Sequence, residues 1–285
     1  MTKMTMNLVL QGPEAAQAAL AEIGALARPA RVVGLSEHAL RCEDVTDTPE
    51  VREQVATAAF AAGADACFIG AGRTLADFRL VAMDMDSTLI TIECIDEIAD
   101  MQGLKAQVSE ITEAAMRGEL DFAASLTRRV ALLEGLEASA LARVYEERLR
   151  ISMGGEAMLA AVQAAGLKTL LVSGGFTFFT ERLQQRLGLD YAHANVLEIE
   201  NGRLTGRVAG GIVDAEEKRR TVERVCMELG IDPRQAIVMG DGANDLRMMG
   251  IAGLSVAFRA KPVVRAQAGV ALNFSGLDGI LNVLA

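Results

Sequence analysis

Residues 80–89 read Leu-Val-Ala-Met-Asp-Met-Asp-Ser-Thr-Leu, an apolar run that breaks at Asp84 and Asp86. A stretch of this kind fits a strand covered on both faces, as in parallel sheets flanked by helices. Residues two apart on a strand point to the same side, so both carboxylates are expected to face one pocket beyond the strand's end. Like charges held that close repel unless a cation or a shared proton intervenes. Taken alone, Asp-x-Asp fits a strand followed by a solvated acidic turn equally well.

A second acidic cluster lies far downstream. The apolar run Ala236-Ile237-Val238-Met239 breaks into Gly240-Asp241-Gly242-Ala243-Asn244-Asp245. Its glycines allow a sharp turn and close approach to a ligand. Asp241, Asn244 and Asp245 bring oxygen donors of the type a hard cation such as Mg²⁺ takes. Between the two clusters, Leu167–Val172 runs into Ser173-Gly174-Gly175 and then a helical pattern. That arrangement offers a hydroxyl and free N–H groups at a helix N-terminus, where phosphate binds well. Lys218 lies near the start of a helical stretch, Glu216–Leu229; by itself it reads as a solvated surface charge.

Strands alternating with helices imply an α/β doubly wound sheet, in which ligands bind beyond the carboxyl ends of the strands. Asp84, Ser173 and Asp241 all fall at such ends. The interval from Asp84 to Leu167 is too long for a simple crossover. Its helical patterns, at 92–101, 107–117, 122–133 and 138–149, predict a helical cap inserted at about 91–151. The N-terminal residues read as βαββαβ: Met6–Gln11, a helix after Pro13, strands at 31–35 and 39–42, a helix opened by Pro49, and a strand at 66–69. This is the order of a ferredoxin-like unit. The residues alone also fit a domain that only packs or dimerises. The expected division is therefore 1–75 and 76–285. Asn201-Gly202 between alternating segments predicts a hairpin. His38 reads as an exposed turn residue, and His193 as packed or solvated.

A net charge of −10 argues against a nucleic-acid partner, which needs a basic face. No apolar stretch reaches membrane-spanning length, and the N-terminal run is too short for a signal core. Cys42, Cys67, Cys94 and Cys226 are scattered, as expected of reduced thiols in a cytoplasmic protein.

Together, Asp84-Met-Asp-Ser-Thr88, Ser173-Gly174-Gly175, Lys218 and Gly240-Asp-Gly-Ala-Asn-Asp245 resemble the haloacid dehalogenase superfamily of phosphotransferases. The closest likeness is to its small-capped group that hydrolyses phosphoserine. The resemblance covers roughly Leu80 to Ala285. It implies that Asp84 attacks phosphorus, that Asp86 serves as acid and then base, and that Mg²⁺ is held by Asp84, Asp86, Asp241 and Asp245. It further implies that Ser173, Gly174 and Lys218 cradle the phosphoryl oxygens, with Asn244 supporting the site. Glu93 and Arg129, the arginine before Val130-Ala-Leu-Leu133, would read the amino-acid end, with Met116 and Phe122 lining the substrate. From the residues alone, Glu93 reads as an acid at a helix N-terminus and Met116 and Phe122 as cap core. A related transferase acting on another phosphomonoester, or passing the phosphoryl group to homoserine, would carry the same motifs. The N-terminal unit resembles ACT domains, which implies serine binding and a homodimer through that unit.

Overall fold

The computed structural model describes residues 5–116 and 119–285, with Met116 described in its backbone only. The chain forms two compact units, one of residues 1–81, 153–168 and 231–285, the other of residues 82–152 and 169–230.

The first unit begins with β1 (Met6–Gln11), α1 (Gln17–Leu26), β2 (Arg31–Ser36), β3 (Ala39–Glu43), α2 (Pro49–Ala61) and β4 (Asp65–Gly70). Their antiparallel sheet runs β2-β3-β1-β4, the ferredoxin-like order. Alternation sets one face of β1 inward, so Leu8 and Leu10 pack with Leu20 and Ile23 of α1 and Val55 and Ala59 of α2. Thr48 caps α2 by accepting the Val51 N–H, with Pro49 in the first turn where its missing donor costs nothing.

The remaining elements are β5 (Leu80–Met83), α3 (Cys94–Asp100), α4 (Lys105–Met116), α5 (Phe122–Ala131), α6 (Ser139–Arg143), α7 (Gly155–Ala164), β6 (Lys168–Phe176), α8 (Thr177–Leu187), β7 (Tyr191–Glu200), β8 (Arg203–Ala209), α9 (Ala215–Leu229), β9 (Ala236–Gly240), α10 (Leu246–Ile251), β10 (Leu254–Phe258), α11 (Pro262–Arg265), β11 (Val270–Leu272) and α12 (Gly279–Val283). Strands β5 to β11 follow the order β11-β10-β9-β5-β6-β7-β8. The pairs β9–β10, β10–β11 and β6–β7 are parallel, and β7–β8 is an antiparallel hairpin. Its two-residue turn puts Asn201 at φ +51° and Gly202 at φ +77°, the left-handed pair that such a turn demands.

The helices α3 to α6 fill the interval after β5, and α5 packs on β8. Two expectations change in detail. The helix expected over 138–149 is α6 followed by a wider turn at Val144–Arg148. The loop expected at Ser173-Gly174-Gly175 is instead part of β6, whose register with β7 breaks between Val172 and Phe176. The glycines keep extended backbone there while letting neighbours come close. No described helix is long and apolar enough to cross a membrane.

Candidate active site

The site is built first from the residues around β5, β6, α3, α5 and α9. β5 ends at Met83, and Asp84 remains extended (φ −69°, ψ 160°), its Oδ1 accepting the Met85 N–H at 2.7 Å. The next five residues form one wide turn, closed by Ile90 N–H to the Met85 carbonyl at 3.0 Å. Ser87 sits inside it at φ +55°, a left-handed conformation uncommon for a residue with a side chain. The strand geometry expected for Asp84 and Asp86 therefore does not hold, because the chain bends before Asp86.

Lys218 is brought to Asp84 by the start of α9. Asp214 caps that helix, its Oδ1 accepting from Glu216 N–H at 2.9 Å and Glu217 N–H at 2.8 Å. One turn on, Lys218 Nζ lies 2.7 Å from Asp84 Oδ2, and the two side chains are 1% and 7% exposed. Far from a solvated surface charge, Lys218 is among the most deeply buried side chains described. Burial of either charge alone would be costly, so each makes the other tolerable.

The Ser173–Gly175 segment approaches from β6. Ser173 is buried, and its Oγ accepts the Gly175 N–H at 2.8 Å. A methyl group at Gly175 would stand 2.9 Å from Asp86 Oδ2 and 2.8 Å from Met85 Cε; at Gly174 it would stand 2.9 Å from Phe122 Cζ. Close approach is what these glycines permit. Phe122, at the first turn of α5, therefore faces Gly174 rather than only the cap's interior.

Asp86 Oδ1 is buried and has no hydrogen-bond partner among the described residues. Burial, and then the charge of Glu93, pushes its carboxyl up to about 8, against hydrogen bonds from Cys94 and the charge of Lys218. Glu93 is the N-cap residue of α3, but its side chain does not cap; instead Oε1 accepts from Ser87 Oγ at 2.6 Å. Arg129 is half-buried while Arg128 is exposed, which separates the two adjacent arginines. Burial pushes the Arg129 guanidinium down, and Asp96, Glu93 and Asp86 pull it back up. Its Nε is buried without a hydrogen-bond partner among the described residues.

In the other compact unit, β9 delivers the second acidic loop. Asp245 is buried, and its Oδ2 accepts from Gly242 N–H at 3.0 Å and Asp241 N–H at 3.2 Å. A methyl at Gly240 would meet that carboxylate at 2.3 Å, and one at Gly242 would meet Asn244 Oδ1 at 2.2 Å. The loop's own packing thus requires Gly240, whereas at Gly242 the Asn244 side chain would have to turn away. On this loop Asp241 and Asp245 bring two carboxylates, and Asn244 an amide, of the kind a hard cation takes. An all-oxygen, acidic donor set of this kind suits Mg²⁺. The side chain of Met116 lies outside the described residues.

Sequence reasoning missed Asn195. It is buried on β7; its Nδ2 donates to the Gly174 carbonyl at 2.8 Å, and its Oδ1 accepts from Val213 N–H at 2.8 Å. One amide thus ties the Ser173–Gly175 segment to the residue just before the Asp214 cap of α9. The signal was present as an amide interrupting the apolar run Ala194-Asn195-Val196. His193 pairs with Glu217 at 3.5 Å.

Known proteins resemble this chain in sequence and in fold. Residues 81–250 match the family model described as haloacid dehalogenase-like hydrolase. A phosphoserine phosphatase of Polaromonas sp. is 58% identical over 215 residues, covering 74% of this chain and 91% of the relative. A probable phosphoserine phosphatase from Vibrio cholerae, in unliganded form, matches with a TM-score of 0.82 at 34% identity, covering 100% of this chain and 88% of that one. A substrate-bound phosphoserine phosphatase complex matches with a TM-score of 0.69 at 36% identity, covering 73% and 99%.

Proposed function

The chain belongs to the haloacid dehalogenase-like hydrolases, and we propose that it releases phosphate from phosphoserine by way of a phosphoryl group carried on Asp84. Its activity is that of a phosphoserine phosphatase. The observation that carries the mechanism is the buried Asp84–Lys218 pair, with the Ser173–Gly175 segment packed on Asp86 two residues along. A carboxylate can attack phosphorus only where the phosphoryl charge is offset and its oxygens are held in place.

In this reading Asp84 is the nucleophile. Lys218 Nζ, Ser173 Oγ and the Gly174 N–H hold the phosphoryl oxygens as charge spreads over them. Asp84, Asp86, Asp241 and Asp245 would hold Mg²⁺, with Asn244 supporting the loop. The donor chemistry fits that ion, which when bound supplies positive charge opposite the phosphoryl group. Asp86 gives its proton to the serine oxygen as it leaves, and takes one from the water that hydrolyses the aspartyl phosphate. A carboxyl that keeps its proton to about pH 8 is suited to the first of these tasks. Glu93 binds the substrate ammonium and Arg129 its carboxylate, while Phe122 and Met116 line the apolar middle.

The residue division 1–75 and 76–285, with the cap at 91–151, belongs to the same reading, as does an ACT-like role for the first segment. The product, free serine, makes this the last step of a serine biosynthesis carried out in the cytoplasm. One assay tests the function: phosphate release from a panel of small phosphomonoesters, with Mg²⁺ and with excess chelator. Phosphoserine should be the preferred substrate, activity should vanish with chelator, and Mg²⁺ should restore it. Preference for another ester, or undiminished activity in chelator, would overturn the substrate or the metal assignment respectively.

A further inference from the structure

A cavity of about 670 Å³ opens in the first compact unit, between α2 and β4 on one side and α11 and β11 on the other. None of its lining residues belongs to the machinery described above. Phe60, Phe68 and Val270 give it apolar walls, while Arg52 and Arg265 bring two guanidinium groups to it. The volume is that of small-molecule sites in general, which combine apolar walls with a few placed polar groups.

The two arginines differ. Arg52 stacks over Phe68 at 4.5 Å and is neutralised by Asp47, with Nη2 to Oδ2 at 3.1 Å. Arg265 lies over Phe60 at 5.2 Å, and its Nη1 reaches the neutral Asn273 Oδ1 at 3.5 Å. One guanidinium without an ion-pair partner among the described residues, over an aromatic ring in a chain of net charge −10, is matched by a single planar anion. The rest of the volume is suited to hydrocarbon.

The cavity wall is also fixed in place and tied to the acidic loop. The buried Asp65 carboxylate on β4 accepts from Asn273 N–H at 2.6 Å and Ser275 N–H at 2.8 Å. Arg265 ends α11, and Lys261, the N-cap of that one-turn helix, donates its backbone N–H to the Asp241 carbonyl at 3.1 Å. A shift of α11 on binding would therefore reach Asp241.

We propose that this cavity is an effector site for a small carboxylate with an apolar body. The test uses the full chain with Mg²⁺, and 3-phenylpropionate as probe. Calorimetry should show saturable binding that 3-phenylpropanol, lacking the charge, does not reproduce. Arg265→Gln should weaken it on the order of thirtyfold or more, as expected when a charged partner is lost. Ala56→Trp, on the exposed face of α2, should block the cavity without disturbing the core. Saturating probe should alter phosphate release by wild type and not by either variant, and both variants should keep wild-type turnover without the probe. No saturable binding, binding unchanged in both variants, or binding that leaves turnover unaltered would each overturn the proposal. Calorimetry does not depend on the reaction assigned, so failure of the site and failure of the phosphatase reading are separable.

Discussion

Lys218 Nζ stands 2.7 Å from Asp84 Oδ2 with both side chains almost wholly out of water, so an ammonium and a carboxylate neutralise each other inside the protein. The pair has a structural consequence apart from chemistry. Lys218→Met leaves Asp84 buried without its partner, a change that typically costs about 3–5 kcal/mol. Urea unfolding in excess chelator should show a loss of that order, and Asp84→Asn added to Lys218→Met should recover part of it. A double variant no more stable than Lys218→Met would show that the charges are not coupled.

Asp86 should leave a mark on the pH dependence of stability. Its carboxyl holds a proton to about pH 8 in the folded, metal-free chain, but releases it near an ordinary Asp value of about 3.9 when unfolded. Between those values the folded state binds more protons than the unfolded state, so this residue's contribution falls as pH rises through the window. It is fully present below the lower value and fully lost above the upper one. Asp86→Asn stays neutral and should gain on wild type from pH 4 to pH 8, then hold a constant lead. Melting temperatures in chelator across that range check this; a difference independent of pH would refute it.

The same variant separates the two aspartates in catalysis. Asp86→Asn retains the nucleophile and loses a proton carrier whose contribution is roughly 10²–10⁴-fold. Phosphoserine, with a poor leaving oxygen, should barely react. An aryl phosphate should give a burst approaching one alcohol per site, followed by slow turnover. Asp84→Asn should give no phosphoenzyme from either substrate. Near-normal steady-state turnover of phosphoserine by Asp86→Asn would remove it from the mechanism.

Arg129 is assigned to the substrate carboxylate, so its loss should be felt by phosphoserine and not by an aryl phosphate lacking that group. Arg129→Ala should lower kcat/KM for phosphoserine by about 2–5 kcal/mol in transition-state terms and spare the aryl phosphate. Equal losses on both would make it a packing residue of the cap.

Asn195 joins the Gly174 carbonyl to the Val213 N–H, and a leucine of similar volume would break both bonds. Leaving buried groups unsatisfied costs about 1–3 kcal/mol each. Asn195→Leu should lower stability on that scale and lower kcat for phosphoserine and aryl phosphate alike, because both need the phosphoryl cradle. An unchanged kcat in a folded variant would limit Asn195 to stability.

The local chemistry of the site was legible in the chain. Apolar runs that break into Asp84 and Asp241 mark strand ends, the run into Ser173 marks a strand that in fact continues to Phe176, and the glycines beside them mark where backbone must come close. These signals are local, since burial on both faces and the need for positive φ or close approach are written within a few residues. The hairpin at Asn201-Gly202 and the βαββαβ order of the first strands were readable for the same reason. What only the tertiary structure decided is which distant groups meet. Periodicity gives Lys218 a place on a helix, but only the packing of α9 buries it on Asp84. The wide turn at Met85–Leu89, which leaves the line of β5 before Asp86, is closed by contacts of Ser87 with Ile92 and Glu93 that no strand pattern encodes. Phe122 reads as cap core and Asn195 drew no notice in the sequence; their contacts with Gly174 exist because separate elements pack there. Side-chain pairing across elements depends on the whole set of packing choices, and a linear pattern carries each choice only for its own segment.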